Sequence, residues 1–354
     1  LRYGGPTAAW LRGIKAFLLA LPVNCIGIGY AFLAMRKVVE ALGIVSDQPI
    51  KAAGGLSDTL VLLIIVAALV LAYTVAGGLW AVVITDFIQL LLALLGAGAV
   101  AWAAVHAAGG MDSLLDQLKA IDDRPELLSI VPWQWNADGF EWMGVAGISK
   151  SNFLDFFERF EWIGGAGITV STFLAYLTVQ WWSFRRSDGG GEFIQRMLAT
   201  KDEQQARLAG WVFLVVNYLL RSWLWVIVAL AALVLLPDQA DWELSYPTLA
   251  VQLLPPVVLG LVVVSLVAAF MSTVSTSVNW GASYLTHDLY QRFLRPNASQ
   301  QELLLVGQLT SVLLLVLGVF TALISDSIGT VFRLVIAIGT GPGVVLVLRW
   351  FWWR

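Results

Sequence analysis

Asp86 is the residue with the most to explain. It follows a paired-glycine segment, Tyr73-Thr74-Val75-Ala76-Gly77-Gly78-Leu79-Trp80, inside Thr85-Asp86-Phe87-Ile88-Gln89, and the run from Leu79 to Val105 around it is almost uninterruptedly apolar. At 1.5 Å per helical residue the carboxylate lies about 12 Å beyond Gly78. A charge near a bilayer centre costs at least about 2.5 kcal/mol, so Asp86 requires a cation, a proton or a hydrogen-bond donor. A second polar set lies between Ser265 and Ser283. Ser265, Ser272, Ser275, Thr276, Asn279 and Ser283 fall close to one helical face, with Thr273 and Ser277 beside it. Hydroxyls and freed carbonyls are hard oxygen donors suited to a hard monovalent cation. Small Ser and Thr residues also let membrane helices pack closely, and on spacing alone packing is the favoured reading of this stripe.

Three other constellations bear on chemistry. Gln180-Trp181-Trp182 joins a neutral amide to two indoles, the mixture that suits a small polar organic solute, although aromatic residues at a membrane interface give the same pattern. Asn217 and Arg221 are four apart and meet on one helix face, where a structural bond to a neighbouring helix is expected. His287-Asp288 is the one acid-base pair a membrane-embedded transferase could use, and it lacks a nucleophile partner. His106 and His287 are far apart and Cys25 is the single cysteine, which excludes zinc sites and disulfide scaffolds.

The elements that must position these residues are membrane helices. Hydrophobic residues make up 59% and charged residues 13% of the 354, mean hydropathy is +0.79, and soluble domains carry about a quarter charged residues. The net charge of -3 is scattered, which excludes nucleic acid as a partner. About 20 apolar residues span the hydrocarbon, and eight such stretches are expected at 14–35, 57–75, 78–105, 165–184, 208–236, 256–280, 303–324 and 328–348. The segment 109–164 reads as an outer loop carrying Trp133, Trp135, Trp142 and Trp162, with an amphipathic surface helix at 151–160.

With eight crossings the basic groups fall on one side: Arg2, Arg12 and Lys15; Arg185, Arg186, Arg196, Lys201 and Arg207; Arg292 and Arg295; Arg349 and Arg354. That side is expected to be cytoplasmic, at a bacterial inner membrane, with both chain ends there. Asp238, Asp241, Glu243 and Asp326 stand on the other side, and Arg36, Lys37 and Lys51 are exceptions. Leu1 is not a methionine and Arg354 directly follows an apolar helix, so a piece of a longer protein is expected, with residues 1–354 forming a single transmembrane domain.

Three ordered segments resemble the sodium/solute symporter family: Tyr73 to Gln89, with its paired glycines and Thr-Asp; Ala268 to Asn279 followed by Asp288-Leu289-Tyr290; and Gln195-Arg196-Met197-Leu198-Ala199-Thr200-Lys201-Asp202. The resemblance covers nearly the whole chain. It implies an all-α, five-plus-five inverted-repeat fold like that of leucine transporters, the eight spans being core helices three to ten. It also reverses the reading of the hydroxyl stripe. The main sodium site it implies uses the Ala269 carbonyl and the Ser272 and Thr273 hydroxyls. A second sodium would join Asp86 to Ser272, Ser275 and Thr276, and Gln180 and Trp181 would face substrate. The first core helix, which supplies the other half of these sites in the family, is not in this sequence. The function implied is sodium-coupled symport of a small organic solute, with no covalent chemistry. A symporter-like sensor domain of a histidine kinase, a channel and a membrane transferase are the alternatives.

Overall fold

The computed structural model describes residues 5–43, 57–121 and 190–325, together with Ile328 and Leu348. The expected spans at 165–184 and 328–348, most of the outer segment, and with them Gln180, Trp181 and Lys51, lie outside the described residues. Every regular element within them is helical: α1 (Gly5–Leu18), α2 (Asn24–Ala41), α3 (Asp58–Ala107), α4 (Met111–Lys119), α5 (Gly191–Leu198), α6 (Glu203–Leu214), α7 (Ser222–Leu235), α8 (Ser245–Leu253), α9 (Pro256–Ser283) and α10 (Gln300–Leu323). Short π-helical segments join α1 to α2 at Leu19–Val23 and α6 to α7 at Val215–Arg221, and a longer one extends α9 through Tyr284–Leu294.

Five helical stretches, Ala9–Ala41, Leu60–Ala107, Glu203–Leu235, Pro256–Leu294 and Gln300–Leu323, are long and apolar enough to cross a membrane. The first extends past both ends of the expected 14–35 span, because the helix continues through the charged residues Arg12 and Arg36-Lys37 that bound the apolar stretch, and it absorbs Pro22 by widening into a π turn. The ninth helix likewise runs past residue 280, where polar side chains hide a helix that has not ended.

Helix α3 has 50 residues, about 75 Å if straight and more than twice the ~30 Å hydrocarbon. It is two crossings. Gly78 adopts φ 55 and ψ -144, a left-handed backbone open to glycine without a Cβ penalty, and the helix folds back there. The division expected between residues 75 and 78 is therefore correct. Both arms pack on α9. Leu63, Ala67 and Val70 of the first arm join Phe270, Val274 and Val278 of α9, with α2 and Leu314 of α10, in one core. Val100, Ala101 and Ala104 of the second arm join Val262 of α9 with Val228, Ala231 and Ala232 of α7 and Leu249 of α8 in another. Close backbone approach tightens the first core: a Cβ on Gly29 of α2 would stand 2.7 Å from Thr321 Cβ of α10, the small-residue packing membrane helices rely on. Phe32 and Phe270 meet edge to face at 4.9 Å.

The two ends of the bundle differ in charge. At one end Arg12 pairs with the buried Asp288 at 2.6 Å and Trp10 meets Phe293 with the rings tilted. At the other, Lys37 binds both Asp241, at 2.9 Å, and Glu243, while Arg36 pairs with Glu40. Of the basic exceptions in the charge pattern, Lys37 is thus neutralised by the acidic loop it faces and Arg36 by a carboxylate of its own helix. Burial raises the Asp241 carboxyl, but hydrogen bonds from the Lys37 ammonium and the Glu243 backbone N–H outweigh it and hold the group below its ordinary value. A depressed carboxyl contributes stability that is present at neutral pH and lost as pH falls through its folded value. Lys37→Met should therefore lower the melting temperature of the detergent-purified protein by a few degrees at neutral pH and flatten its decline on acidification; an unchanged acid profile would remove this contact from the stability of the bundle.

Candidate functional site

The fold-back at Gly78 brings Asp86 alongside the middle of α9. Ser272 Oγ donates to Asp86 Oδ1 at 2.7 Å and Thr276 Oγ1 donates to Oδ2 at 3.2 Å. Ser272 and Thr276 are one turn apart, so one helical face presents both hydroxyls to one carboxylate. The approach is close because of Gly96, further along the same arm, where a side chain would collide with Ser265.

The third partner comes from α5. Gly191 at its start lies against the Trp280 indole and the Tyr284 hydroxyl, leaving no space for a Cβ. Gln195 Nε2 donates to Asn279 Oδ1 at 3.1 Å. Arg196 Nη2 then donates both to Asp86 Oδ2, at 2.8 Å, and to Thr276 Oγ1, at 2.7 Å. The Arg196 and Asp86 side chains are 27% and 20% exposed. A charge-assisted bond in such a half-buried place is stronger than one at a free surface.

The hydroxyls of the α9 stripe divide by the partners they meet. Ser272 and Thr276 address Asp86. Ser265 donates to the Val262 carbonyl and packs against the second arm of α3. Ser275, fully buried, donates to the Ser272 carbonyl at 3.2 Å and does not reach Asp86. Thr273 is exposed and donates to the Ala269 carbonyl at 2.9 Å, so Ala269 and Thr273 sit together one step round the helix from the hydroxyls that meet Asp86. Ser265 and Ser275 thus satisfy themselves on their own helix, as the packing reading expects, while Ser272 and Thr276 turn their hydroxyls to the carboxylate. The donor set of one carboxylate, several hydroxyls and a backbone carbonyl consists of hard oxygens and fits a hard cation. Among the described residues no group of three or more His, Cys, Asp or Glu side chains could hold a metal of another kind.

A cavity of about 480 Å³ lies at the basic end against the same helices. Gln195, Asn279, Thr74, Ser283 and Thr286 line it, so it adjoins the carboxylate site through the Gln195–Asn279 pair. His287 and Asp288 do not form an acid-base unit. Asp288 is tied to Arg12 and His287 meets Gln291 at 3.0 Å. Arg221 binds Asn217 one turn back at 3.3 Å and interacts electrostatically with Tyr30 of the neighbouring α2.

Arg196 is the partner of Asp86 that spacing missed, having been counted among the charges that set orientation and within a family-like segment but given no role at the carboxylate. The signal was present in two parts: a carboxylate in an apolar helix demanding a cation, and an arginine in a segment matching the same family as that carboxylate.

A sequence model of the Sodium:solute symporter family matches residues 44–354. The sodium/glucose cotransporter of Vibrio parahaemolyticus is 28% identical over 309 residues, 81% of this chain and 51% of that protein. The human sodium/myo-inositol cotransporter 2 is 27% identical over 271 residues, 71% of this chain and 37% of that protein. The chain thus spans about half the length, or less, of these relatives. The structure of a Na+-coupled sialic acid symporter in a substrate-bound outward-open state superposes with a TM-score of 0.65 at 19% identity, over 94% of this chain and 62% of that one; this likeness concerns the fold, and the all-α symporter fold expected from the sequence is the one found. The relatives are transporters and not enzymes. Through its match over residues 44–354, this multi-pass membrane chain belongs to the sodium:solute symporter family.

Proposed function

We propose that the complete protein couples sodium entry to the uptake of a small organic solute by alternating access. The observation that carries this reading is the meeting of Asp86 with Ser272 and Thr276 in the middle of lipid-spanning helices. An oxygen cluster there has no packing value that Ala would not supply, and it costs desolvation. Two ion positions follow. The first uses the Ala269 carbonyl with Ser272 and Thr273, and the second uses Asp86 with Ser272, Thr276 and Ser275 after a rotation of the Ser275 hydroxyl. Ser272 belongs to both, so ions at the two positions share a ligand and influence each other. The membrane potential supplies about 2.3 kcal/mol per 100 mV for each charge moved inward, and rocking of one helix set against the other exposes the sites alternately.

Gln180 and Trp181 are the substrate-facing residues of this reading. The named cargoes of the relatives, glucose and myo-inositol, are neutral and polyhydroxylated, which agrees with a neutral amide beside an indole. Polyols are therefore the first solutes to test. The basic end, with Arg12, Arg196 and Arg295, faces the cytoplasm of a bacterial inner membrane.

In proteoliposomes holding the full-length protein, Ser272→Ala and Thr273→Ala should each raise the half-saturating sodium concentration about tenfold, the loss of one good oxygen ligand; unchanged values in both would remove the main site from α9. Asp86→Asn should lower the measured ratio of sodium to solute transported and reduce the sigmoidicity of the sodium dependence. A variant with the wild-type ratio and only reduced expression would make Asp86 a structural residue.

A further inference from the structure

Arg196 Nη2 lies 2.8 Å from Asp86 Oδ2 and 2.7 Å from Thr276 Oγ1, and these are two of the oxygens assigned above to the second ion. A hard cation held by them at about 2.4 Å would fall in the volume of that guanidinium nitrogen. It would also draw on the same lone pairs and place two positive charges within about 3 Å of each other. Arg196 at Asp86 and an ion at Asp86 exclude one another.

A second acceptor is built into the same helix. Glu192 stands four residues before Arg196, the spacing and order at which Glu and Arg meet on a helix surface. Its Oε2 is buried without a hydrogen-bond partner, an expensive condition for a carboxylate oxygen. Arg196 Nη1 already reaches the Glu192 carbonyl at 3.1 Å, so the guanidinium can pass from one carboxylate to the other by side-chain rotation. Asp86 keeps an opposite partner in both arrangements, Arg196 before the ion arrives and the ion afterwards, and Glu192 gains Arg196 in the second. Among the described residues α5 is also tied to α9 by the Gln195–Asn279 bond and by the packing of Gly191 under Trp280, and a helix of eight residues loosens when its charged anchor leaves.

We infer that Arg196 is a tethered cation that competes with sodium for Asp86 and passes to Glu192 when the ion binds, releasing α5 at the basic end of the bundle. The inference rests on the second ion position proposed above. It makes Arg196 a determinant of ion affinity and links occupancy deep in the bundle to the end facing the cavity.

The test uses the full-length protein and radiolabelled sodium alone, with binding measured at constant ionic strength in choline. Arg196→Gln should tighten sodium binding about fivefold, Glu192→Gln should weaken it by a similar factor, and the double variant should behave like Arg196→Gln, the size of a modest coupling between linked equilibria. Two merely structural residues would not shift affinity in opposite directions. In the wild type, hydrogen exchange across residues 191–201 should rise when sodium replaces choline, a readout that needs no variant to fold. Binding unaffected or weakened by Arg196→Gln, or exchange indifferent to sodium, overturns the inference while leaving sodium coupling intact. Failure of the wild type to bind sodium at all overturns the underlying reading and this inference together.

Discussion

A carboxylate held within an apolar helix arm must be compensated, and the described structure is organised around that requirement at Asp86. Unpaired, it would cost several kcal/mol. Pairing demands that an arm of α3 lie closely along α9, that α9 turn hydroxyls toward it, and that a cation be within reach. The reversal at Gly78 meets the first demand, since two arms joined by a sharp bend can both lie on one partner helix. The absence of a side chain at Gly96 sets how near the arm comes, and the one-turn spacing of Ser272 and Thr276 meets the second. The third is met from outside the spans, by an eight-residue helix whose first glycine lets it settle under Trp280.

This arrangement places a polar junction between two apolar cores. One core, built on α2, α9, α10 and the first arm, and another, built on α7, α8, α4 and the second arm, meet along α9. Such cores resist continuous deformation because they are densely packed, and they move as bodies. The junction between them is where a small, charge-driven rearrangement has the greatest leverage. Sodium coupling needs this combination of rigid parts and an electrostatically balanced seam.

Some features were readable because they are local. Six crossings of the described chain follow from hydrophobic length, and the break at Gly77-Gly78 follows from two glycines between apolar runs. The segregation of Arg12 and Arg295 from Asp241 and Glu243 follows from charge position along the chain. The ends of the first and sixth spans were misplaced for a physical reason: charged residues at Arg12 and Arg36-Lys37, and polar residues after Trp280, usually bound an apolar span, yet here the helix runs on through them.

What the sequence determined by itself was which residues share a face and which faces are costly to bury, because helical periodicity and hydropathy act over a few residues. It could say that Asp86 needed a partner and that α9 carried a surplus of oxygen. Only the tertiary structure decided how that surplus is spent, with Ser272 and Thr276 on the carboxylate, Ser265 against the other arm, and Ser275 on its own backbone. It alone chose Arg196, 110 residues away in the chain, as the cation. Periodicity fixes the direction a side chain leaves its helix, whereas the identity of what it meets depends on how separate helices close around one another.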